Sequence, residues 1–245
     1  MNKINCKIIS INIDSESDIK SVQGFGTLED IDGNKLRYVK RRHIINNFLS
    51  DFNESSIKIE YFNAITPKDF NCDVSNNTLS ESIIFDNKKF EIKKSIWSCH
   101  LANFLSHYEI WNIEEDTLVL EDDIIFDSEL FKKIPSIIES FLKLEENNKI
   151  LYLQISTPWL EDAREKSFHL SKINENIGKY ITGDVSGTAA YYITKECKKV
   201  LLENIKPILP CDQYLDNLLK SGIINYYLPI DQSMMFKLDT KTMLL

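Results

Sequence analysis

The stretch TLVLEDDIIF, residues 117–126, joins an apolar run to three consecutive carboxylates. Thr117 to Leu120 predict a buried β-strand, and Glu121, Asp122 and Asp123 follow it directly. Adjacent carboxylates repel one another, and burial disfavours their ionised forms, so the cluster costs stability unless a cation or strong donors compensate. The stretch therefore indicates both a strand of the sheet interior and a site at its end.

The composition is that of an ordinary globular chain. Its 245 residues are 43% hydrophobic and 27% charged, which is enough to bury a sizeable core. A formal net charge of -8 argues against a protein that binds the phosphate backbone of DNA or RNA. With only 7 glycines, 6 prolines and no repeat, we expect a single domain over residues 1–245, with an insertion at 15–36 and a mobile loop around 66–95.

The cysteines and the apolar runs bear on the compartment. Five scattered cysteines, without C-x-x-C spacing, favour neither a disulfide framework nor a zinc site. The N-terminal stretch lacks a signal-peptide core, and no segment has the apolar length of a transmembrane helix. We expect a cytoplasmic protein, with peripheral association at the inner face of a membrane as an alternative, or the host cytoplasm if the source is a virus.

Strand and helix patterns alternate along the chain. β-Branched and apolar runs predict strands at 7–13, 57–65, 117–120 and 149–155. Helical spacing predicts a helix that begins after Lys35, a second at 100–112, and a third that starts from an N-cap at Asp127 or Ser128. This alternation predicts an α/β fold with a mainly parallel sheet covered by helices on both faces, in which ligands bind at the carboxyl ends of the strands.

The acidic triplet lies at such a strand end. If the extended geometry persists, Glu121 and Asp123 share one side of the strand and Asp122 points the other way. Two carboxylates on one side suit Mg²⁺ or Mn²⁺ held together with substrate phosphates. The alternative is a solvated surface cluster. The apolar strand that leads into the triplet favours the metal site.

Four blocks carry a family resemblance: SHYEIW at 106–111, LVLEDD at 118–123, GTAAYYIT at 187–194 and DQYL at 212–215. In these blocks and their order the sequence resembles glycosyltransferase family 25, which includes lipopolysaccharide-type β-galactosyltransferases and collagen galactosyltransferases. The resemblance implies a GT-A-like, Rossmann-type fold. It also implies inverting transfer of a hexose, with galactose favoured, to a hydroxyl of a glycan or glycoconjugate. The expected donor is UDP-galactose or UDP-glucose, and the expected cofactor is Mn²⁺ or Mg²⁺.

The resemblance also implies roles for residues. Asp123 becomes the main metal ligand and a catalytic residue, and Glu121 assists it or reaches the donor ribose. Asp212 is the expected general base and is favoured over Asp184, although an aspartate at a helix start is often only an N-cap. Ser106 and His107 are expected to contact the residues that bind the ligand rather than the ligand itself. The expected donor-binding residues are Asn12, Asp14, Arg42 (with Arg41 as an alternative), Glu121, Asp122, Gly187 and Thr188.

Three other functions remain open. A nucleotidyltransferase also uses an acidic metal site, but it needs a glycine-rich phosphate loop that the stretch at 21–33 matches poorly. A non-catalytic relative would bind the nucleotide sugar without turnover. A structural or interaction module would leave the buried carboxylates unexplained.

Overall fold

The computed structural model describes residues 3–11, 31–53, 55–66, 69, 82–92, 96, 98–155, 169–182, 187–205 and 207–238. Its strands are β1 (Ile4–Ser10), β2 (Ile57–Asn63), β3 (Ser82–Phe85), β4 (Lys88–Glu91), β5 (Thr117–Glu121), β6 (Lys149–Tyr152), β7 (His169–Lys172), β8 (Ile177–Thr182), β9 (Ala190–Ile193) and β10 (Asn225–Pro229). Its helices are α1 (Ile31–Asp51), α2 (Ser98–Trp111), α3 (Ser128–Leu142), α4 (Lys195–Glu203), α5 (Cys211–Lys220) and a short 3₁₀ turn (Gln232–Met234).

Eight of the described strands form one sheet in the order β2-β1-β5-β9-β6-β10-β8-β7. β1 pairs in parallel with β2 and β5, and β6 pairs in parallel with β10. β9 runs antiparallel between β5 and β6, and β8 runs antiparallel between β10 and β7. Six of the eight strands thus share one direction, which confirms the predicted α/β class with a mainly parallel sheet.

The two faces of the sheet bury separate cores because side chains alternate along each strand. Leu118 and Leu120 of β5 join the core covered by α1 and α3, whereas Val119 joins the core covered by α2, α4 and α5. The predicted helix cover on both faces is therefore confirmed. α3 begins after an N-cap at Asp127, whose side chain accepts a hydrogen bond from the Glu129 N–H at 2.8 Å.

The elements lie where the sequence predicted them, with boundaries that differ by a few residues, and the starts of β1 and α1 differ most. β1 begins at Ile4, three residues before the predicted start at Lys7, because polar residues inside the strand find partners beside it. The Lys7 Nζ lies 2.5 Å from Glu60 of β2, so a lysine in the middle of the strand does not mark its beginning. α1 begins at Ile31, whereas the sequence predicted a helix that starts after Lys35. Its first residues therefore belong to the segment 15–36 that was expected to be an insertion.

Part of the segment predicted as a mobile loop, 66–95, is a β-hairpin formed by β3 and β4. Asp86 and Asn87 make its two-residue turn with φ of 47° and 59°, a conformation that these residue types tolerate better than most. The hairpin docks on α2, where the Lys88 Nζ donates to the Tyr108 hydroxyl at 2.7 Å. The hairpin was not predicted from the sequence because each strand is only 4 residues long and β4 is mostly charged.

Four of the five cysteines, Cys6, Cys99, Cys197 and Cys211, are buried free thiols. The fifth, Cys72, lies outside the described residues. Within the described ranges, none of the helices has the length and apolar character that crossing a bilayer requires.

A buried lysine holds the connection that leads into β5. Lys198 of α4 is 1% exposed, and its Nζ donates to the carbonyls of Ile110, Ile113 and Glu115 at 3.0, 3.1 and 2.7 Å. It also lies 2.7 Å from the Thr117 hydroxyl. The ammonium thus ties the end of α2 to the first residue of β5.

Lys198→Met should lower the free energy of unfolding by about 2–4 kcal/mol, because buried carbonyl groups lose their donor while packing volume is nearly kept. Urea denaturation with an unchanged m-value measures the loss. Lys199→Met, at the exposed neighbouring position, is the control and should stay within about 0.5 kcal/mol of wild type. Equal stability of the two variants would contradict the assigned role.

Candidate active site

The acidic triplet lies at the carboxyl end of β5, where the chain leaves the sheet. Glu121 is the last strand residue, and Asp122 and Asp123 form a turn. The extended geometry on which the predicted alternation of the three side chains depended therefore ends at Glu121. Glu121 contacts α2, while Asp122 contacts α1 on the other face.

Glu121 is held by three donors that all reach the same oxygen. Its Oε1 accepts hydrogen bonds from Asn103 Nδ2 at 3.2 Å and from Thr188 Oγ1 at 2.8 Å, and it lies 3.0 Å from His107 Nε2. Burial raises the pKa of Glu121, but the hydrogen bonds from His107, Thr188 and Asn103 outweigh burial and lower it below its ordinary value. The side chain is therefore ionised and remains one-fifth exposed.

Asp122 forms a nearly buried ion pair. Its Oδ1 lies 3.0 Å from the Arg41 Nη1, and both side chains are about one-tenth exposed. Burial raises the pKa of Asp122, and the Arg41 charge and a hydrogen bond from Ser10 oppose this increase. This carboxylate is compensated within the protein.

Asp123 differs from its two neighbours. It is buried, and its Oδ1 has no hydrogen-bond partner among the described residues. Burial, followed by the Glu121 charge, raises the pKa of Asp123 to about 8, with Arg41 opposing. A buried carboxylate oxygen without a donor costs free energy unless a ligand or cation satisfies it.

The segment before β9 packs across Glu121. Gly187 has φ of +92°, and a Cβ there would lie 2.6 Å from Gln154 Nε2. The Gln154 Oε1 in turn accepts the Ala189 N–H at 2.9 Å. These contacts explain a glycine at 187 by backbone conformation and close packing, and they place the Thr188 hydroxyl against Glu121.

α5 brings Asp212 to the same end of the sheet. The sequence left open that Asp212 is the N-cap of α5, but Pro210 occupies that position. The Asp212 carboxylate accepts a hydrogen bond from the Gln213 N–H at 2.8 Å. The Cys211 thiol hydrogen-bonds with the Thr188 hydroxyl. Burial raises the pKa of this thiol, and the charges of Glu121 and Asp212 raise it further. Asp212 itself is partly exposed.

Ser106 and His107 are both buried, although the helical pattern placed Ser106 away from the apolar stripe. The Ser106 hydroxyl donates to the Ala102 carbonyl at 2.9 Å and accepts the Ile65 N–H at 2.8 Å, which fixes the chain after β2. α2 is buried on nearly all sides, so its apolar stripe marks only part of its contacts.

The predicted basic residues lie on α1. Arg41 faces Asp122, whereas the Arg42 guanidinium carbon sits 3.6 Å from the centre of the Tyr61 ring. The Arg42 Nη1 is buried and has no hydrogen-bond partner in the described part of the chain. Three predicted site residues, Asn12, Asp14 and Asp184, lie outside the described residues.

The carboxylates of this site can hold a divalent cation only if water or a substrate supplies the remaining ligands. Within the described ranges no cluster of three or more His, Cys, Asp or Glu side chains could hold a metal by itself. Glu121 and Asp123 nevertheless each present an oxygen that no described residue engages. Mg²⁺-type sites in proteins often use one or two carboxylates and take their remaining ligands from water and substrate phosphates.

Four residues that contact or support the site were not predicted from the sequence: Asn103, Gln154, Tyr191, whose hydroxyl bonds His107, and Trp111, whose indole bonds Tyr191. Trp111 and Tyr191 stood inside apolar patterns, which predict core packing and hide the polar atom of each ring. Asn103 offered a signal, because it is a polar residue within an otherwise apolar helix.

Comparison with solved structures finds a chain from Bacillus anthracis described as a glucose-1-phosphate thymidylyltransferase in complex with a sucrose. The two chains are 12% identical, with a TM-score of 0.33, over 92% of this chain and 86% of the other. Among curated proteins, none matches this chain significantly.

A family model matches over a much longer stretch than any single motif. The model of glycosyltransferase family 25, described as an LPS biosynthesis protein, matches residues 36–216. That range includes α2, β5, β9 and the start of α5, which together form the site described above. The chain therefore belongs to glycosyltransferase family 25.

Proposed function

We propose that this glycosyltransferase is a metal-dependent, inverting enzyme. It transfers a hexose, with galactose as the favoured sugar, from a UDP-sugar to a hydroxyl of a glycan or glycoconjugate. The proposal includes a GT-A-like arrangement in which the donor diphosphate lies at the carboxyl end of β5. The observation that carries it is the buried Oδ1 of Asp123, which no described residue hydrogen-bonds and which is under the influence of the ionised Glu121.

A cation held by Asp123 and Glu121 would neutralise the charge of a nucleoside diphosphate leaving group. Such a cation would also satisfy the Asp123 oxygen, which no donor in the described residues reaches. Asp122 is excluded as a third strong ligand by its ion pair with Arg41. This division of roles explains why three adjacent acidic residues are tolerated.

Binding of the nucleotide-sugar donor also requires positively charged groups and polar contacts. Arg42 supports binding of the diphosphate, because its buried Nη1 lacks a partner in the described part of the chain. We keep Asn12 and Asp14, near the end of β1, as candidates for the nucleotide, and Gly187 and Thr188 as candidates for the sugar.

Asp212 is the proposed general base for the acceptor hydroxyl. It is partly exposed at the N-terminus of α5, and it lies near the site because its charge and that of Glu121 both add to the rise that burial causes in the pKa of the Cys211 thiol. Inverting transfer requires a base on the side opposite the leaving group. We further propose a cytoplasmic location, with peripheral membrane contact through the acceptor; the four buried free thiols support this.

Incubation with a panel of nucleotide sugars tests the proposal. Nucleoside diphosphate should be released from a UDP-hexose with Mn²⁺ or Mg²⁺ and an acceptor mixture, and chelation should stop the release. Release of pyrophosphate from UTP and a sugar phosphate would instead identify a nucleotidyltransferase. Binding of a nucleotide sugar without release by any acceptor would identify a non-catalytic relative.

Asp123→Asn should weaken Mn²⁺-dependent binding of UDP by about tenfold or more and nearly abolish transfer, because one formal charge leaves the metal site. Titration calorimetry of both proteins with UDP and Mn²⁺ measures the effect. Glu129→Gln, which neutralises an exposed carboxylate on α3, is the control and should bind as wild type does. Equal binding by Asp123→Asn and wild type would contradict the metal site.

The same variant should be at least as stable as wild type without metal, and the difference should depend on pH. Because the folded-state pKa of Asp123 is raised from 3.8 to about 8, wild type binds more protons when folded and loses stability as pH rises between these values. Asn carries no charge, so the advantage of the variant should grow across that window. Chemical denaturation in chelator at several pH values measures it, and a destabilised variant at pH 8 would show a structural carboxylate.

Asp212→Asn should reduce turnover by about 10²–10⁴ and leave UDP affinity nearly unchanged, because it removes a general base but no donor contact. The matched control is Asp216→Asn one turn later on α5, where the aspartate pairs with Lys220 at the surface. Steady-state kinetics and thermal melts of both variants decide the role. An early melt with unchanged turnover per folded molecule would leave Asp212 with a structural role only.

A further inference from the structure

A continuous chain of hydrogen bonds leads from the core of the protein to Glu121. The Trp111 Nε1 donates to the Tyr191 hydroxyl at 3.0 Å, and that hydroxyl lies 2.8 Å from His107 Nδ1. The opposite ring nitrogen, His107 Nε2, lies 3.0 Å from Glu121 Oε1. Trp111, Tyr191 and His107 are each no more than 1% exposed. The chain is therefore shielded from water except at its Glu121 end.

The chemistry of the groups sets the direction of this chain. An indole only donates, so the Tyr191 oxygen accepts from Trp111 and has its single proton left to donate. His107 Nδ1 is its hydrogen-bond partner among the described residues. The imidazole then carries its hydrogen on Nε2 and donates it to the Glu121 carboxylate. Each donor along the chain thus meets an acceptor.

The rings are also fixed by packing. His107 and Tyr191 stack with centroids 5.6 Å apart and planes at 29°, and Trp111 lies 6.3 Å from the imidazole. Phe104 meets the Trp111 ring edge-on at 5.7 Å. The imidazole consequently has one orientation available, and its N–H points at a fixed place.

The effect on Glu121 is that one carboxylate oxygen is occupied and the other is free. Oε1 receives three hydrogen bonds, whereas no described residue donates to Oε2. Since the side chain is one-fifth exposed, Oε2 is the atom available to a ligand. Fixing a glutamate before binding avoids part of the entropy cost of ordering a long side chain when the ligand arrives.

We propose that Trp111 and Tyr191 are positioning residues that act through His107 to present the Oε2 of Glu121 to the donor complex. They touch neither the donor nor the cation. This inference rests on the proposed function, because it takes the nucleoside diphosphate and its cation as the ligand that Glu121 meets.

Tyr191→Phe removes one hydroxyl from the middle of the chain. Affinity for UDP with Mn²⁺ should fall about 3–10-fold, the value of one buried hydrogen bond, with a matching rise in donor KM and a smaller change in kcat. Tyr192→Phe is the matched control: the neighbouring residue of β9 faces the opposite core and bonds Asp116 at 3.4 Å. It should bind UDP within twofold of wild type.

A double-mutant cycle separates positioning from general stability. In the Glu121→Gln background, Tyr191→Phe should cause little further loss of UDP affinity, because both changes disturb the same contact. Losses that add in full would overturn the proposal. If Tyr191→Phe does not fold, His107→Gln and His107→Leu replace it. The glutamine keeps an N–H for Glu121 and should bind more tightly than the leucine, whereas equal affinity would overturn the proposal.

Crystal structures of the metal-free variants keep this inference distinct from the proposed function. If wild type binds no nucleoside diphosphate with Mn²⁺ or Mg²⁺, the proposed function fails, yet the position of Glu121 can still be compared. In Tyr191→Phe, or in His107→Leu, we expect Glu121 to turn from its wild-type position, whereas Tyr192→Phe should leave it in place. An unmoved Glu121 in the first pair would overturn the inference.

Discussion

Three adjacent carboxyl groups at the end of a buried strand are the constraint around which this protein is arranged. Two of them are compensated from different directions: Glu121 by donors from α2 and the segment before β9, and Asp122 by Arg41 of α1. Asp123 alone keeps a buried oxygen without a partner in the described residues. Helices on both faces of the sheet therefore serve the same three residues, and the cost of burying them falls mainly on Asp123.

The antiparallel strand β9 is what closes the site from the side. It lies between β5 and β6, so the turn that precedes it crosses the end of β5. The Glu121 N–H donates to the Ala189 carbonyl at 2.7 Å, which extends the pairing to the acidic residue itself. An entirely parallel sheet would need a crossover at this place and would bring a helix where the site now has a backbone turn. A glycine at 187 lets that turn pack on Gln154.

Residue patterns predicted the α/β class, the helix cover, the buried strand β5 and the acidic site at its end. They did so because burial and periodicity are local properties, and because parallel strands end at one edge. They missed the starts of β1 and α1, the β3–β4 hairpin and the inner role of Asn103. The start of β1 and the role of Asn103 depend on partners on other elements: Lys7 is acceptable within β1 because Glu60 lies beside it, and Asn103 donates to Glu121.

The roles within the triplet show the same division. That Glu121, Asp122 and Asp123 form a costly cluster at a strand end follows from the amino-acid order and the physics of charge. Which of them is ionised, which is paired and which lacks a donor follows only from packing, because residues such as His107, Thr188 and Arg41 lie far from the triplet in sequence or on another element. The buried chain through Tyr191 could not be foreseen at all, since its phenol looks apolar in any periodic pattern and becomes a hydrogen-bonding group only when β9 folds against α2.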